Sequence, residues 1–145
     1  MKRILSTSAM LLVLAVAAPV LAGSPVGTWK TIDDETKKPR SLVKLFKKAD
    51  GKIYGKVVKL YQPAGEPKNP VCDQCKGALQ NKPILGMTII SGLSPDDDEW
   101  SGGTILDPSN GKSYRCKMWV ESAKKVKLRG YLGFFYRTQY WYRVK

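Results

Sequence analysis

Two cysteines two residues apart are the clearest chemical motif in this sequence. Cys72 and Cys75 stand in the stretch PVCDQCKG, and the chain has one further cysteine, Cys116, and no histidine. A structural zinc site needs four ligands, so three cysteines without histidine are too few. A thioredoxin-like redox pair begins a helix in a βαβ unit, whereas this pair lies in a loop rich in proline and lysine. We therefore expect a structural disulfide.

The three cysteines allow three disulfide pairings. A Cys72–Cys75 bond would close a very small ring. A bond from either cysteine to Cys116 would close a loop of about 40 residues and stabilise the fold by on the order of 4 kcal/mol. The sequence favours this longer link, with Cys75 as the partner, because it would fasten an irregular loop to a strand. One thiol then stays unpaired in a monomer, so thiol exchange through Cys72 and Cys75 stays open as a distant alternative function.

The absence of histidine removes most familiar catalytic arrangements. Ser-His-Asp triads and Cys-His pairs both require it. The acidic run 96–99 is consecutive rather than spaced around a tight glycine turn, which indicates a solvated turn and not a calcium loop. Asp107 precedes a proline in a hairpin, where capping the turn fits it better than acid–base catalysis. We expect no catalytic residue, no metal site and no cofactor, and an enzyme is the less expected class.

The N-terminal segment predicts export. MKRILSTSAMLLVLAVAAPVLAGS has two early basic residues, an apolar run and small residues near Ala22, which is the pattern of a cleaved signal peptide over residues 1–22. One domain over residues 23–145 would remain, in the periplasm or secreted. Without Lys2 and Arg3, 23 basic residues face 12 acidic ones, a net charge of +11. This charge favours anionic partners, and because exported proteins seldom meet nucleic acid, none is expected.

Short runs of strand-forming residues separated by turn signals fill the rest of the chain. Asp50-Gly51 and Asn110-Gly111 are typical hairpin turns, and the long connection over 62–83 contains four prolines. Sequential hairpins favour an all-β, antiparallel, up-and-down barrel of about eight strands, because closure removes exposed strand edges and encloses room for side chains or one small ligand. The predicted strands are 27–32, 41–48, 52–61, 84–93, 99–108, 112–122, 126–133 and 134–144.

Five segments together resemble a known family. They are GTWK (27–30), CDQCKG (72–77), WSGGTILDPSNGKSYRCK (100–117), RGYLG (129–133) and RTQYW (137–141). In this order, behind a signal peptide, they are similar to the bacterial exported family catalogued as domain of unknown function 2147. The resemblance implies a lipocalin-like, or calycin-like, β-barrel in the bacterial envelope and no established reaction. One departure is the aromatic run 134–136, where the family usually has a small residue.

The resemblance also implies a structural role for Trp29. In lipocalin-like barrels a tryptophan on the first strand closes one end, and an arginine from the last strand lies across its indole ring. Such a cation–π contact contributes about 0.5–2 kcal/mol. Trp29 is the candidate plug, and Arg143 or Arg137 is the candidate partner.

Aromatic and polar residues on the strands form the candidate ligand pocket. An apolar pocket with one or two arginines would suit a small amphipathic anion, such as a fatty acid or lipid. The leading hypothesis is a periplasmic binding module. The alternative is a structural or interaction protein of the cell envelope with a packed barrel, whose basic surface meets an anionic envelope component or the membrane surface. The candidate pocket residues are Arg129, Tyr131, Arg137, Gln139, Trp141, Trp100 and Trp119.

Overall fold

Eight antiparallel strands form a closed barrel in the computed structural model, which describes residues 23–145. The predicted signal peptide over 1–22 lies outside the described residues. Each strand pairs with the next one along the chain, and the last pairs with the first, so the predicted all-β antiparallel barrel is confirmed. The strands are β1 (Gly27–Ile32), β2 (Pro39–Lys47), β3 (Ile53–Leu60), β4 (Thr88–Asp96), β5 (Glu99–Asp107), β6 (Lys112–Ser122), β7 (Lys125–Leu132) and β8 (Phe135–Arg143).

Strand β4 differs most from the sequence-based prediction. It was expected over 84–93, but the backbone of 84–87 still belongs to the connection that follows β3. The amide of Ile84 donates to the Pro70 carbonyl at 3.0 Å, and the amide of Gly86 donates to the Val57 carbonyl at 2.8 Å. Apolar content alone cannot reveal such loop hydrogen bonds. The other strands begin and end within two residues of their predicted bounds.

The core fills one half of the barrel. The largest fully buried side chains lie near the β2–β3, β4–β5 and β6–β7 turns, which share one end of an up-and-down barrel. These side chains include Trp29, Leu45, Ile53, Leu93, Met118 and Val126. The loops β1–β2, β3–β4, β5–β6 and β7–β8 lie at the opposite end. We call these two ends the closed end and the open end.

Trp29 and Arg143 seal the closed end. Trp29 is fully buried, and its indole Nε1 donates a hydrogen bond to the Pro25 carbonyl at 2.8 Å. The Arg143 guanidinium lies 4.2 Å from the centre of the Trp29 ring. The two residues are also direct neighbours in the β1–β8 ladder. A buried indole with its N–H satisfied, covered by a cation, closes the barrel without leaving a polar group unpaired.

Arg143 also donates hydrogen bonds to three backbone carbonyls in two separate segments. Its Nε donates to the Ala123 carbonyl at 2.6 Å, Nη1 to the Val26 carbonyl at 2.7 Å and Nη2 to the Ser24 carbonyl at 2.9 Å. The planar guanidinium can satisfy three acceptors at once because its donors point in fixed directions. One side chain therefore holds the N-terminal segment and the β6–β7 turn against the plug.

Arg143→Lys should lower the free energy of unfolding by about 2 kcal/mol, because lysine keeps the charge but loses the planar stacking and at least two of the hydrogen bonds. Urea denaturation followed by tryptophan fluorescence measures the change. Arg115→Lys, on the outward face of β6, is the matched control and should change stability little. An equal loss in both variants would contradict the proposed role of Arg143 in closure.

Candidate functional site: a cavity at the open end

The open half of the barrel contains a cavity of about 490 Å³. Protein sites for small molecules typically have volumes of about 300–1,000 Å³. The cavity opens between the loops of the open end, and its walls come from all eight strands and from the long β3–β4 connection. Its lining residues include Ile32, Arg40, Ser41, Val57, Leu60, Gln62, Ile84, Ile89, Ile105, Tyr114, Leu128, Gly130, Leu132, Phe135, Arg137, Gln139 and Trp141.

The deeper walls of the cavity are apolar. Val57, Ile89, Ile105 and Leu128 face it from four different strands. Trp141 lies deepest and is only 2% exposed, and its indole Nε1 donates to Gln139 Oε1 at 3.4 Å. An apolar group that enters this space would exchange water for aliphatic and aromatic neighbours, which is favourable in proportion to the area buried.

The rim of the cavity is charged. The Arg137 guanidinium pairs with the Asp34 carboxylate through Nε, at 2.6 Å, and through Nη2. Gln139 donates from Nε2 to the same carboxylate oxygen at 3.4 Å. Arg40 pairs with Asp33 at 3.2 Å. The rim thus holds two arginines, each paired with an acid of the β1–β2 loop, and hydrogen bonds connect this rim through Gln139 to Trp141.

A tight turn fixes Asp33, the acidic partner of Arg40. Asp33 Oδ1 accepts hydrogen bonds from the Thr36 amide at 2.8 Å, the Thr36 hydroxyl at 3.0 Å and the Glu35 amide at 3.0 Å. The bonds from Thr36 are the main reason that the pKa of Asp33 lies below its usual value, and the positive charge of Arg40 acts in the same direction. Asp33 is therefore ionised at neutral pH, and the loop presents a fixed negative charge to Arg40.

The structure brings three of the predicted pocket residues together in the cavity and leaves four outside it. Arg137, Gln139 and Trp141 line the cavity. Arg129 and Tyr131 do not, because residues directly opposite in an antiparallel ladder share a face. Arg137 faces Gly130 across the β7–β8 ladder, so the even-numbered residues of β7 point inward and the odd-numbered ones point outward.

The four predicted pocket residues that do not line the cavity pack on the outer surface or at the edge of the core. Arg129 lies on the outer surface, with its guanidinium 4.4 Å from the Tyr136 ring and 5.5 Å from the Trp119 ring. Trp119 also lies under Lys127, at 4.6 Å. Trp100 packs against the edge of the core without lining the cavity, and Tyr131 stacks at a tilt against Tyr136 on the outer face.

Sequence reasoning missed several residues of the site. Asp34, the partner of Arg137, is 103 residues away along the chain, and nothing in the sequence links the two. Arg40 and Gly130 were also missed. Gly130 could have been found, since strict alternation from Leu128 places it on the inner face once the β7–β8 turn is located.

The β3–β4 connection, residues 61–87, walls one side of the mouth and contains the disulfide. Cys72 and Cys75 are bonded to each other. The Cys72 amide donates to the Lys82 carbonyl at 2.8 Å, and the Asn81 amide donates to the Cys72 carbonyl at 2.9 Å. Together with a bridge between Val71 and Pro83, these bonds make the loop a compact unit of its own.

The favoured link between Cys75 and Cys116 was wrong. Cys116 is a free, buried thiol on the inner face of β6. The disulfide loop instead packs on the β5–β6 turn, where Cys72 Sγ lies 3.4 Å from the Pro108 carbonyl oxygen and Gln74 contacts Gly111. Cys116 is five residues beyond Gly111 along the strand, which is about 17 Å. The loop therefore docks far from the third cysteine.

No group of three or more potential metal-ligating side chains lies together in the part of the chain that the structure describes. Within residues 23–145, no helix is long and apolar enough to span a membrane.

A closed eight-stranded antiparallel barrel with a cavity open at one end is the architecture of lipocalin-like proteins. The sequence profile of DUF2147, described as an uncharacterized protein conserved in bacteria, matches residues 27–143, and the chain belongs to this family. A similar solved structure is protein HP1028 from the human pathogen Helicobacter pylori, described as belonging to the lipocalin family. It is 20% identical with a TM-score of 0.68, over 83% of this chain and 82% of that one. No match was found among curated proteins.

Cys116 should be unreactive in the folded protein. Its burial raises the pKa of the thiol to about 12, so almost no thiolate forms at pH 8. Without reductant, Ellman's reagent should detect no thiol in the native protein and one per chain after unfolding in guanidinium chloride. Peptide mapping without reductant is the control that shows which cysteines are paired. A map with Cys116 in a disulfide would contradict the pairing described above.

Proposed function

We propose that this protein is a periplasmic binding module for a small amphipathic ligand, whose apolar chain enters the cavity and whose anionic head group stays at the rim. The observation that carries the proposal is the cavity itself, which is apolar at depth and has two arginines at its mouth. A packed barrel of the same fold would offer no such space. This contrast favours a binding module over an envelope protein that acts only through its basic surface.

The chemistry of the cavity supports an apolar chain as the buried part. Its inner walls offer aliphatic side chains and the Trp141 indole, and Gly130 leaves additional room opposite Ile105 and Tyr114. Inner polar groups satisfy one another, since the Thr31 and Ser41 hydroxyls lie 2.7 Å apart and the Trp141 indole donates to Gln139. Each buried methylene contributes about 0.8 kcal/mol, so affinity should rise about fourfold per carbon until the cavity is full.

The rim supports an anionic or strongly polar head group. Asp34 occupies the Nε and Nη2 sides of Arg137, which leaves its Nη1 donors available. The Arg137 side chain is 58% exposed, so a ligand carboxylate or phosphate can approach it from the mouth. Such a head group would bind Arg137 together with Asp34 or would displace Asp34 from Arg137.

The periplasmic part of the proposal is supported by two features. The sequence begins with a signal-peptide pattern, and a Cys72–Cys75 disulfide persists in oxidising compartments. The same disulfide offers little to thiol exchange, because Cys72 is fully buried and Cys75 is 3% exposed. An attacking thiolate needs access to one of the two sulfurs.

The cavity can be tested by filling it. Gly130→Leu should project into the cavity from β7 and weaken dodecanoate binding at least about tenfold, because several methylenes would lose their place. Gly130→Ala is the matched control, since an added Cβ would lie 3.5 Å from Ile105 and 3.6 Å from Tyr114, ordinary contact distances. Titration followed by intrinsic tryptophan fluorescence measures both. If no fatty acid of any length changes the fluorescence or the melting temperature of the wild type, the proposal is wrong.

The head group can be tested with a charge-matched pair of ligands. Arg137→Gln should weaken dodecanoate binding about two- to fivefold, as expected for an exposed ion pair, and should leave dodecanol binding unchanged. Asp34→Asn should strengthen dodecanoate binding by a similar factor, because it removes the internal competitor for Arg137. Calorimetric titration with both ligands separates charge from chain burial. Equal effects on acid and alcohol would contradict the role of Arg137.

A further inference from the structure

The tip of the β7–β8 hairpin exposes an unusual amount of apolar surface. Phe134 is fully exposed, Phe135 is 79% exposed, Leu132 is 65% exposed and Tyr136 is 57% exposed. Single exposed apolar residues are common on proteins, but four of them around one turn form a contiguous patch. We call residues 132–136 the aromatic tip.

The aromatic tip lies beside the mouth of the cavity. Leu132 and Phe135 line the cavity at its open end, Tyr136 borders the mouth from the outer face, and Phe134 projects from the turn between them. The tip is therefore a convex apolar knob at the rim. Whatever binds it comes to lie next to the cavity mouth.

Basic side chains flank the aromatic tip. Arg137 follows it directly, the Arg129 guanidinium lies 4.4 Å from the Tyr136 ring, and Arg115 faces Tyr131 across the β6–β7 ladder. Two acids at the cavity mouth are already paired with arginines, Asp34 with Arg137 and Asp33 with Arg40. The whole chain carries 25 basic and 12 acidic residues. The occupant of the tip should therefore be negatively charged next to its apolar part.

A membrane surface fits this combination better than a protein partner. Stable protein interfaces use about 20–30 residues on each side, whereas the tip offers four side chains. Phenylalanine and leucine enter the apolar side of the membrane interface, tyrosine favours the level of the head groups, and arginine favours lipid phosphates.

We propose that the aromatic tip inserts into the surface of a membrane that contains anionic phospholipids, and that this contact brings the cavity mouth to the lipid. Phe134 and Phe135 enter the apolar boundary, and Arg129 and Arg137 lie at the level of the phosphates. The proposal goes beyond ligand binding, because the tip can insert whether or not the cavity accepts a ligand.

Insertion can be detected with a label at the tip. In Phe134→Cys, an environment-sensitive fluorophore attached to the new thiol should report the tip alone, because Cys116 is buried and the other two cysteines are bonded to each other. Vesicles of phosphatidylglycerol mixed with phosphatidylethanolamine should shift its emission to the blue. The same label in Tyr142→Cys, on the outer face of β8 near the closed end, is the control and should not shift. Equal shifts at both positions, or none at either, would overturn the proposal.

Vesicle co-sedimentation measures the contribution of the rings. The double substitution Phe134→Ser with Phe135→Ser should lower vesicle affinity at least about tenfold, since two phenyl groups no longer leave water. Tyr142→Ser is the matched control and should keep wild-type affinity. Both variants should keep the wild-type melting temperature, because the removed rings are exposed. Binding that salt abolishes and that the double substitution leaves unchanged would show adsorption by charge alone, and would overturn insertion.

Two further outcomes separate membrane insertion from ligand binding in the cavity and from dimerisation through the aromatic tip. Gly130→Leu should bind vesicles as the wild type does, so failure of dodecanoate binding would leave the membrane proposal standing. Size-exclusion chromatography of the wild type and the double variant tests for a second copy as the occupant. A dimer that the double substitution converts to a monomer would overturn the membrane as the partner of the tip.

Discussion

Closure of the barrel depends on the short seam between the first and last strands. Along this seam β1 and β8 are in register only at Trp29 with Arg143 and at Lys30 with Tyr142. Neighbouring strands elsewhere share longer ladders. The stacking of Arg143 on Trp29, and its hydrogen bonds to three backbone carbonyls, supply side-chain contacts where the ladder is brief. Without closure, β1 and β8 would each expose an unpaired edge.

The seal also explains how the interior is divided. Because the plug and the neighbouring core fill one end, the other end can stay hollow without opening a channel through the molecule. Leu128 illustrates the change from packed to hollow, since it is 2% exposed, belongs to the core and also lines the cavity. A hollow interior gives up dispersion contacts that a filled one would make. The packed end and the continuous ladders therefore carry most of the stability, and the open end is free to serve binding.

The sequence predicted the strands better than it predicted the site. Turn pairs such as Asp50-Gly51 and alternation such as Tyr114, Cys116 and Met118 are local signals, and they placed the barrel correctly. The set of residues that line the cavity depends on the register between neighbouring strands. Arg129 and Arg137 look equivalent in the sequence, yet only Arg137 points inward, because its place opposite Gly130 is fixed by the turn. The link from Arg137 to Asp34 depends on barrel closure, which no local pattern encodes.

The cysteine pairing was wrong for a similar reason. The preference for Cys116 rested on the entropy of closing a long loop, but the loop over 61–87 is ordered by its own backbone hydrogen bonds and docks on the β5–β6 turn. Cys116, inside the barrel, stays out of reach. Loop-closure entropy says what a bond would contribute if formed, and it does not say which sulfurs meet.

The disulfide closes a segment of only four residues, so it constrains the mouth of the cavity and not the strands of the barrel. The bond between Cys72 and Cys75 shapes one wall of the opening and crosslinks no two strands. Insertions, deletions or substitutions in this wall would therefore leave the strands that close the barrel as they are. Changes in this loop can alter the size and selectivity of the opening while the strand-borne walls of the cavity stay in place.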